Sequence, residues 1–281
     1  MNYRHVYHAG NFADVLKHAV LARLVDYLKR KPKPFRVIDT HAGVGLYDLS
    51  SEAAQKTGEW RGGIGRLIEA PLPADAAALL APYLDIVAEI NEGPLTRYPG
   101  SPLLVRMLLR REDRLSAIEL HPEDYERLAA LFAGDRQTRV TRLDGWLALG
   151  AHVPPKERRG LVLVDPPFEL AGEYERMVDG LVAAHKRFQS GLYCLWYPRK
   201  AGAPVADFHR RLRRSGIGDI LVAELDVRSE SAPGLAGSGV VVVNPPYVLE
   251  GELATLLPVL ADRLGEDASA AHRLFRLAGE D

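Results

Sequence analysis

The tetrapeptide Asp165-Pro166-Pro167-Phe168 closes the apolar run Leu161-Val162-Leu163-Val164 and puts a carboxylate, a rigid backbone and an aromatic face side by side. Proline fixes φ and has no N–H, so carbonyls in this segment stay free to accept. Such a set suits the capture and methylation of a planar exocyclic amine. An amine like adenine N6 is a poor nucleophile because its lone pair is delocalised into the ring. Acceptors around its two hydrogens restore density on nitrogen, while an aromatic ring holds the base by stacking. Without its surroundings, the same tetrapeptide reads as a strand ending at a Pro-Pro turn. A second run, Val240-Val241-Val242-Val243-Asn244-Pro245-Pro246-Tyr247, repeats these chemical elements. It follows the last expected strand, whereas the catalytic acid should end the strand beside the Gly-rich one, so Asn244 reads as structural.

Three further strands end in acids. Phe35-Arg36-Val37-Ile38-Asp39 runs into the turn Thr40-His41-Ala42-Gly43-Val44-Gly45. In open α/β sheets the carboxyl ends of the strands form the ligand crevice, and glycine lets the backbone approach the ligand. The third glycine of the dinucleotide fingerprint is missing and Leu46-Tyr47 opens no clear helix, so a nucleoside cofactor without phosphate is the better match. Leu115-Ser116-Ala117-Ile118-Glu119 ends in a carboxylate able to accept from both ribose hydroxyls. Asp144-Gly145 follows Val140-Thr141-Arg142-Leu143 and offers an acceptor for an adenine amino hydrogen. Singly each acid reads as a turn residue; Asp39, Glu119, Asp144 and Asp165 in succession read as a site. Ser101 carries two compatible readings, as the N-cap of a helix with Pro102 at its first position and as a cofactor contact. His18, off the stripe of Leu16, Val20 and Leu24, reads by itself as a surface histidine pairing with Asp14, and His41 as a loop residue. His5, His8 and His18 have no metal-ligand spacing, and no metal is expected.

The elements that position these residues follow from periodicity. Strands are expected near 35–39, 115–119, 139–143, 161–165, 191–197, 219–226 and 239–243, with helices at 11–30 and near 122–133, 173–188 and 204–215. Alternating strands and helices imply a mainly parallel, doubly wound α/β sheet. The last two strands are joined only by the Gly/Ser/Ala-rich link 228–238, a mobile-loop candidate, and can pair antiparallel. Between Gly45 and the helix near Pro102 lie two short helical stretches, near 50–68 and 74–92. They predict a small helical insertion, 46–99, within a domain formed by 1–45 and 100–281.

At 281 residues, 47% hydrophobic and 26% charged, the composition is that of an ordinary globular protein. No apolar run approaches a membrane span, and the N-terminus has no signal-peptide pattern. The single cysteine, Cys194, excludes an intramolecular disulfide, fits a reducing cytoplasm and falls in an expected strand. A net charge of −1 gives nucleic acid no global attraction, so contact with RNA or DNA needs local basic patches. Candidates are Arg210-Arg211-Leu212-Arg213-Arg214, Lys156 with Arg158 and Arg159, and Arg4, His5, His8, Lys17 and His18. Each also reads as a solvated face or helix end.

The whole chain resembles the bacterial 23S ribosomal RNA adenine-N6 methyltransferases of the RlmJ family. The resemblance runs through Tyr3-Arg4-His5, His8-Ala9-Gly10-Asn11, Asp14-Val15-Leu16-Lys17-His18, Asp39-Thr40-His41-Ala42-Gly43 and Tyr98-Pro99-Gly100-Ser101-Pro102. It continues in Glu119-Leu120-His121-Pro122, Asp144-Gly145, Arg158-Arg159-Gly160-Leu161, Asp165-Pro166-Pro167, Leu195-Trp196-Tyr197-Pro198, Ser238-Gly239 and Asn244-Pro245-Pro246. It implies a class I S-adenosylmethionine-dependent methyltransferase with a Rossmann-like seven-stranded sheet and a helical insertion, acting on N6 of adenine 2030. The implied cofactor residues are His18, His41, Ser101, Glu119, Asp144, Gly145 and Asp165, with S-adenosylhomocysteine as product. Asp165, Pro166 and Phe168 would serve the amine and base, and Tyr3, Arg4 and Lys17 the RNA. The family's catalytic motif ends in tyrosine; Phe168 keeps the stacking face and loses the hydroxyl. A cytoplasmic monomer with 23S rRNA as partner and no membrane contact is expected. The competing readings are a DNA-adenine or protein-amide methyltransferase, and a non-catalytic RNA-binding module on the same fold.

Overall fold

Apolar strands alternating with helices bury both faces of a sheet only if helices cover each side. The computed structural model, which describes residues 4–232 and 234–278, has this layering. Helix α1 (Phe12–Lys29) is capped by Asn11, whose side-chain oxygen accepts from the Ala13 and Asp14 N–H groups. Strand β1 (Arg36–Asp39) follows. The expected insertion holds a short strand β2 (Leu46–Asp48), helix α2 (Glu52–Thr57), a π turn at Arg61–Gly65 leading into α3 (Arg66–Ile68), helix α4 (Ala74–Glu89) and strand β3 (Arg97–Pro99). Leu46-Tyr47 therefore opens a strand, which pairs antiparallel with β3 at the root of the insertion.

The rest of the chain runs α5 (Ser101–Leu108), β4 (Arg114–Glu119), α6 (Pro122–Leu131), β5 (Thr138–Arg142), α7 (Gly145–Ala151), β6 (Gly160–Val164), α8 (Glu173–Arg187) and β7 (Leu192–Arg199). It ends with α9 (Val205–Arg213), β8 (Ile220–Asp226), β9 (Gly237–Val243), α10 (Leu249–Leu264) and β10 (Ala271–Ala278). The large sheet has the order β10-β8-β9-β7-β6-β1-β4-β5. β5, β4, β1, β6 and β7 pair in parallel, and β9 is antiparallel to both β7 and β8. One reversed strand between two that run with the sheet is the class I methyltransferase arrangement.

Among the described residues the sheet has eight strands, not the expected seven. The added strand, β10, pairs antiparallel with β8 at the edge. Its charges hide it from a search for apolar runs, yet they anchor it: Arg273 reaches Glu224 at 2.6 Å, and Arg276 reaches Asp219 at 2.7 Å.

Alternation along the strands divides the core. Val37 and Leu115 pack beneath α1, α4, α5 and α10, whereas Ile38 and Ile118 pack beneath α7, α8 and α9. Helix α1 departs from a surface amphipathic helix: 15 of its 18 residues are buried. The sheet covers one side, and α4, α5 and the π turn cover the other. The π turn comes so close that the Ile64 N–H donates to the Gly10 carbonyl at 2.8 Å, and a side chain at Gly63 would overlap that carbonyl.

Candidate active site

The carboxyl ends of β1, β4 and β6, the start of α7 and the first turns of α1 and α5 surround a cleft of about 1180 Å³. Parallel pairing puts the carboxyl ends of these strands on one edge of the sheet. That is where Asp39, Glu119 and Asp165 stand.

Asp39 and Ser101 are buried together, with Ser101 Oγ donating to Asp39 Oδ2 at 2.6 Å. Ser101 is therefore not an N-cap: Gly100 holds that position without a side-chain bond, and the hydroxyl is engaged by the acid instead. Burial drives the Asp39 pKa up to about 7, against the Ser101 hydrogen bond and assisted by the Asp165 charge.

Asp165 follows β6 and accepts from Lys17 Nζ at 2.5 Å through Oδ2. The same ammonium reaches Asp14 Oδ1 at 2.8 Å, and Asp14 Oδ2 meets His5 Nε2 and the Gly10 N–H, each at 2.9 Å. Burial alone would discharge Lys17, but the Asp14 and Asp165 carboxylates hold its pKa well above the ordinary lysine value. Asp14, whose burial acts the other way, is held well below the carboxylate range by His5 and Lys17.

His18 is 1% exposed, and the surface pairing with Asp14 expected for it does not form. The insertion roofs the outer side of α1, so His18 faces Tyr98, with Nδ1 2.8 Å from the phenol oxygen and the Tyr83 hydroxyl 2.8 Å beyond. Its Nε2 is buried without a hydrogen-bond partner among the described residues, and burial lowers its pKa to about 3. The imidazole is neutral.

His41 lies under Trp146, ring centroids 5.3 Å apart, with a pKa lowered by burial to about 4. The Thr40 hydroxyl donates to the Leu163 carbonyl at 2.9 Å and stands 2.8 Å from His41 Nδ1. A hydroxyl with its proton so engaged must accept, which assigns the imidazole proton to Nδ1 and leaves Nε2 as an acceptor. Gly145 makes this approach possible, since a Cβ there would overlap the Thr40 carbonyl and lie 2.7 Å from the His41 ring. Asp144 caps α7 by accepting from the Trp146 N–H at 2.7 Å, and its other oxygen is 3.3 Å from Arg176. Glu119 accepts from the Gly43 and His121 N–H groups at 2.8 and 2.7 Å; burial raises its pKa.

Phe168 has φ 51°, an uncommon backbone for a non-glycine residue. It packs against Tyr174 and Trp196 with centroids 4.7 and 5.8 Å away. Pro166 lines the cleft beside it.

Among the RNA candidates, Lys17 is inside the cleft, whereas Arg4 pairs with Glu123 at 2.9 Å and does not line it. Tyr3 lies outside the described residues. Two features escaped the sequence reading: the chain His5–Asp14–Lys17–Asp165, for which the i,i+3 spacing of Asp14 and Lys17 was the available signal, and Trp196 as a neighbour of Phe168. Asn244 stands at the opposite edge of the sheet, where its amide donates to the Gln189 and Gly191 carbonyls, both at 2.7 Å.

A family model described as Ribosomal RNA large subunit methyltransferase D, RlmJ, matches residues 32–276. A relative called Ribosomal RNA large subunit methyltransferase J, from Escherichia coli, is 44% identical over 267 residues, 94% of each chain. A protein of the same name from Haemophilus influenzae is 44% identical over 268 residues, again 94% of each. The crystal structure of protein LPL1258 from Legionella pneumophila matches with a TM-score of 0.87 at 35% identity, covering 95% of this chain and 98% of that one.

Proposed function

The chain belongs to the RlmJ family of ribosomal RNA large subunit methyltransferases and is an S-adenosylmethionine-dependent rRNA methyltransferase; from that premise we propose that it methylates the exocyclic N6 of one adenine of 23S rRNA, adenine 2030. The observation carrying this reading is the placement of Asp165-Pro166-Pro167-Phe168 at the end of β6, in one cleft with Lys17, Glu119 and Asp144. The donor set fits the cofactor. His18 Nε2 is a buried ring nitrogen without a partner among the described residues, Gly145 keeps the approach past His41 clear, and Glu119 and Asp144 add carboxylate acceptors. His18, His41, Ser101, Glu119, Asp144, Gly145 and Asp165 are proposed to hold it, with no metal.

When bound, S-adenosylmethionine supplies an electrophilic methyl group on a sulfonium. The protein's part is to present the nucleophile in line with it. Oδ2 of Asp165 is engaged by Lys17, so Oδ1 and the Pro166 carbonyl are assigned the two amine hydrogens, and Phe168 the face of the base. The N–C bond forms as the S–C bond breaks, giving S-adenosylhomocysteine. The alkylated nitrogen becomes strongly acidic, so its proton can leave after transfer, to Asp165 or to water. The base must be unpaired or flipped out of its stack to enter. Tyr3, Arg4 and Lys17 are proposed to serve the RNA side. The reading also takes residues 46–99 as an insertion within the methyltransferase domain 1–45 and 100–281, and the protein as a cytoplasmic monomer.

Incubation with methyl-labelled S-adenosylmethionine and unmodified 23S rRNA, followed by digestion, tests the proposal. The expected product is N6-methyladenosine, absent with Asp165→Ala while the fold survives. Near-normal turnover by that variant, or label in another nucleoside, refutes the assignment.

A further inference from the structure

The sheet edge opposite the cleft carries charge that the transfer reaction does not use. Three turns meet there: 30–35 after α1, 109–113 before β4, and 155–159 before β6. Arg110 donates to the carbonyls of Lys31 at 2.9 Å and Lys33 at 3.3 Å, and Arg159 donates to those of Lys33 at 2.7 Å and of Leu28. The two guanidinium groups stand 5.7 and 5.6 Å from the centroid of the Phe35 ring. Burial and the Arg110 charge both lower the Arg159 pKa, as expected where like charges are packed together. These bonds, with Pro32 and Pro34, pin the loop and leave the Lys31 and Lys33 side chains exposed.

The neighbouring turn adds Lys156 and Arg158, also exposed. Arg158 has φ 50°, a conformation that glycine or asparagine adopts at less cost. Nearby carboxylates are already committed: Glu157 to Arg36 at 2.9 Å, Asp113 to Arg110 at 2.9 Å, and Glu252 to Arg23 and Arg30 at 2.8 and 3.2 Å. Among the described residues, Lys31, Lys33, Lys156 and Arg158 enter no ion pair. At the rim of this surface is Tyr247 of the second Pro-Pro motif. It is 81% exposed and meets Tyr27 edge-on at 6.2 Å, while Arg30 lies 5.5 Å from the Tyr27 centroid. Unpaired cations beside an exposed aromatic ring are what a flexible polyanion with stacking bases requires.

We propose that this edge is a second RNA-binding surface, with Lys31, Lys33, Lys156 and Arg158 neutralising phosphates and Tyr247 stacking on an unpaired base. The proposal rests on the reading of the protein as an rRNA methyltransferase. With a net charge of −1, attraction for RNA has to be local. A six-residue strand such as β4 separates the two edges by roughly 20 Å, so only an RNA extending well beyond the target adenine can engage both.

The test measures RNA binding by the full-length protein across a salt series. It compares the wild type, a quadruple variant (Lys31→Gln, Lys33→Gln, Lys156→Gln, Arg158→Gln), Tyr247→Ala, and a matched control with Arg210, Arg211, Arg213 and Arg214 changed to Gln. The ligands are a full-length 23S rRNA transcript and a short stem–loop holding only the target adenine. The quadruple variant is expected to lose at least about tenfold in affinity for the transcript, with the slope of log K against log salt shallower by about 0.7 per cation removed. Tyr247→Ala is expected to lose roughly tenfold with little change in slope. Binding and methylation of the stem–loop stay at wild-type level in both. Unchanged transcript affinity, an equal loss in the α9 control, or an equal loss on the stem–loop overturns the proposal. If the wild type methylates no RNA, the proposed reaction falls, while the binding comparison still decides this surface.

Discussion

Replacing Asp39 by Asn should stabilise the protein, and by an amount that grows with pH. Asp39 is fully buried, and its carboxyl titrates near 7 in the fold against 3.8 for an ordinary aspartate. Between those two values the unfolded chain has released a proton that the folded chain still holds, so folding is favoured at low pH and this advantage is lost as pH rises toward 7. Roughly three pKa units at about 1.4 kcal/mol each give about 4 kcal/mol, all of it present below pH 4 and none above pH 7 relative to the neutral side chain. Asn is isosteric and never ionises. Its oxygen can still accept from the His41 N–H, and Ser101 Oγ can turn from donor to acceptor toward its amide. Urea unfolding of both proteins at pH 5, 6, 7 and 8 reads the effect. The stability difference, variant minus wild type, should rise by roughly 2 kcal/mol between pH 5 and pH 7 and level off by pH 8. A difference that does not change with pH would refute the argument, because a purely steric or hydrogen-bonding effect carries no proton.

The buried histidine, His18, acts in the opposite direction. His18, titrating near 3 in the fold against 6.5 when unfolded, contributes stability that is complete above pH 6.5 and drains away as pH falls toward 3. His18→Gln should therefore flatten the acid limb of the stability profile by up to about 1.4 kcal/mol per pH unit. Gly145→Ala forces a methyl against the Thr40 carbonyl and the His41 ring. It should cost about 1–3 kcal/mol of stability and weaken S-adenosylmethionine binding in calorimetry; wild-type affinity would remove Gly145 from the cofactor wall. Asn244→Ala loses two hydrogen bonds at the far edge, so the melting temperature should fall by an amount equivalent to about 1–3 kcal/mol. Its turnover on a short RNA should equal that of the wild type, and a collapse of kcat would reopen the second Pro-Pro motif as a catalytic candidate.

The strands that carry the site were legible because each is a continuous apolar run ending in an acid. Asp39, Glu119 and Asp165 needed only the rule that ligands gather at the carboxyl ends of parallel strands. What failed depended on neighbours far away in sequence. His18 was read as exposed because its helix was assumed to have a solvent side, and residues from 46–99 cover that side. Ser101 satisfies every local criterion for an N-cap, yet a carboxylate from β1 claims its hydroxyl. β10 was missed because its Arg273 and Arg276 break the apolar pattern, and their acidic partners lie on β8 and in the surrounding turns and helix. Local pattern thus located the acids, while the state of each acid was decided by long-range partners.

The double-sided burial of α1 also bears on the order in which the protein is made. Among the partners of this helix, α4 and α5 come from the next hundred or so residues. The strands that close its other side, β6, β7 and β9, are synthesised much later. Lys17 can grip Asp165 only after β6 has been laid beside β1. The Lys17–Asp165 contact therefore spans 148 positions and needs both the helix and the sheet in place.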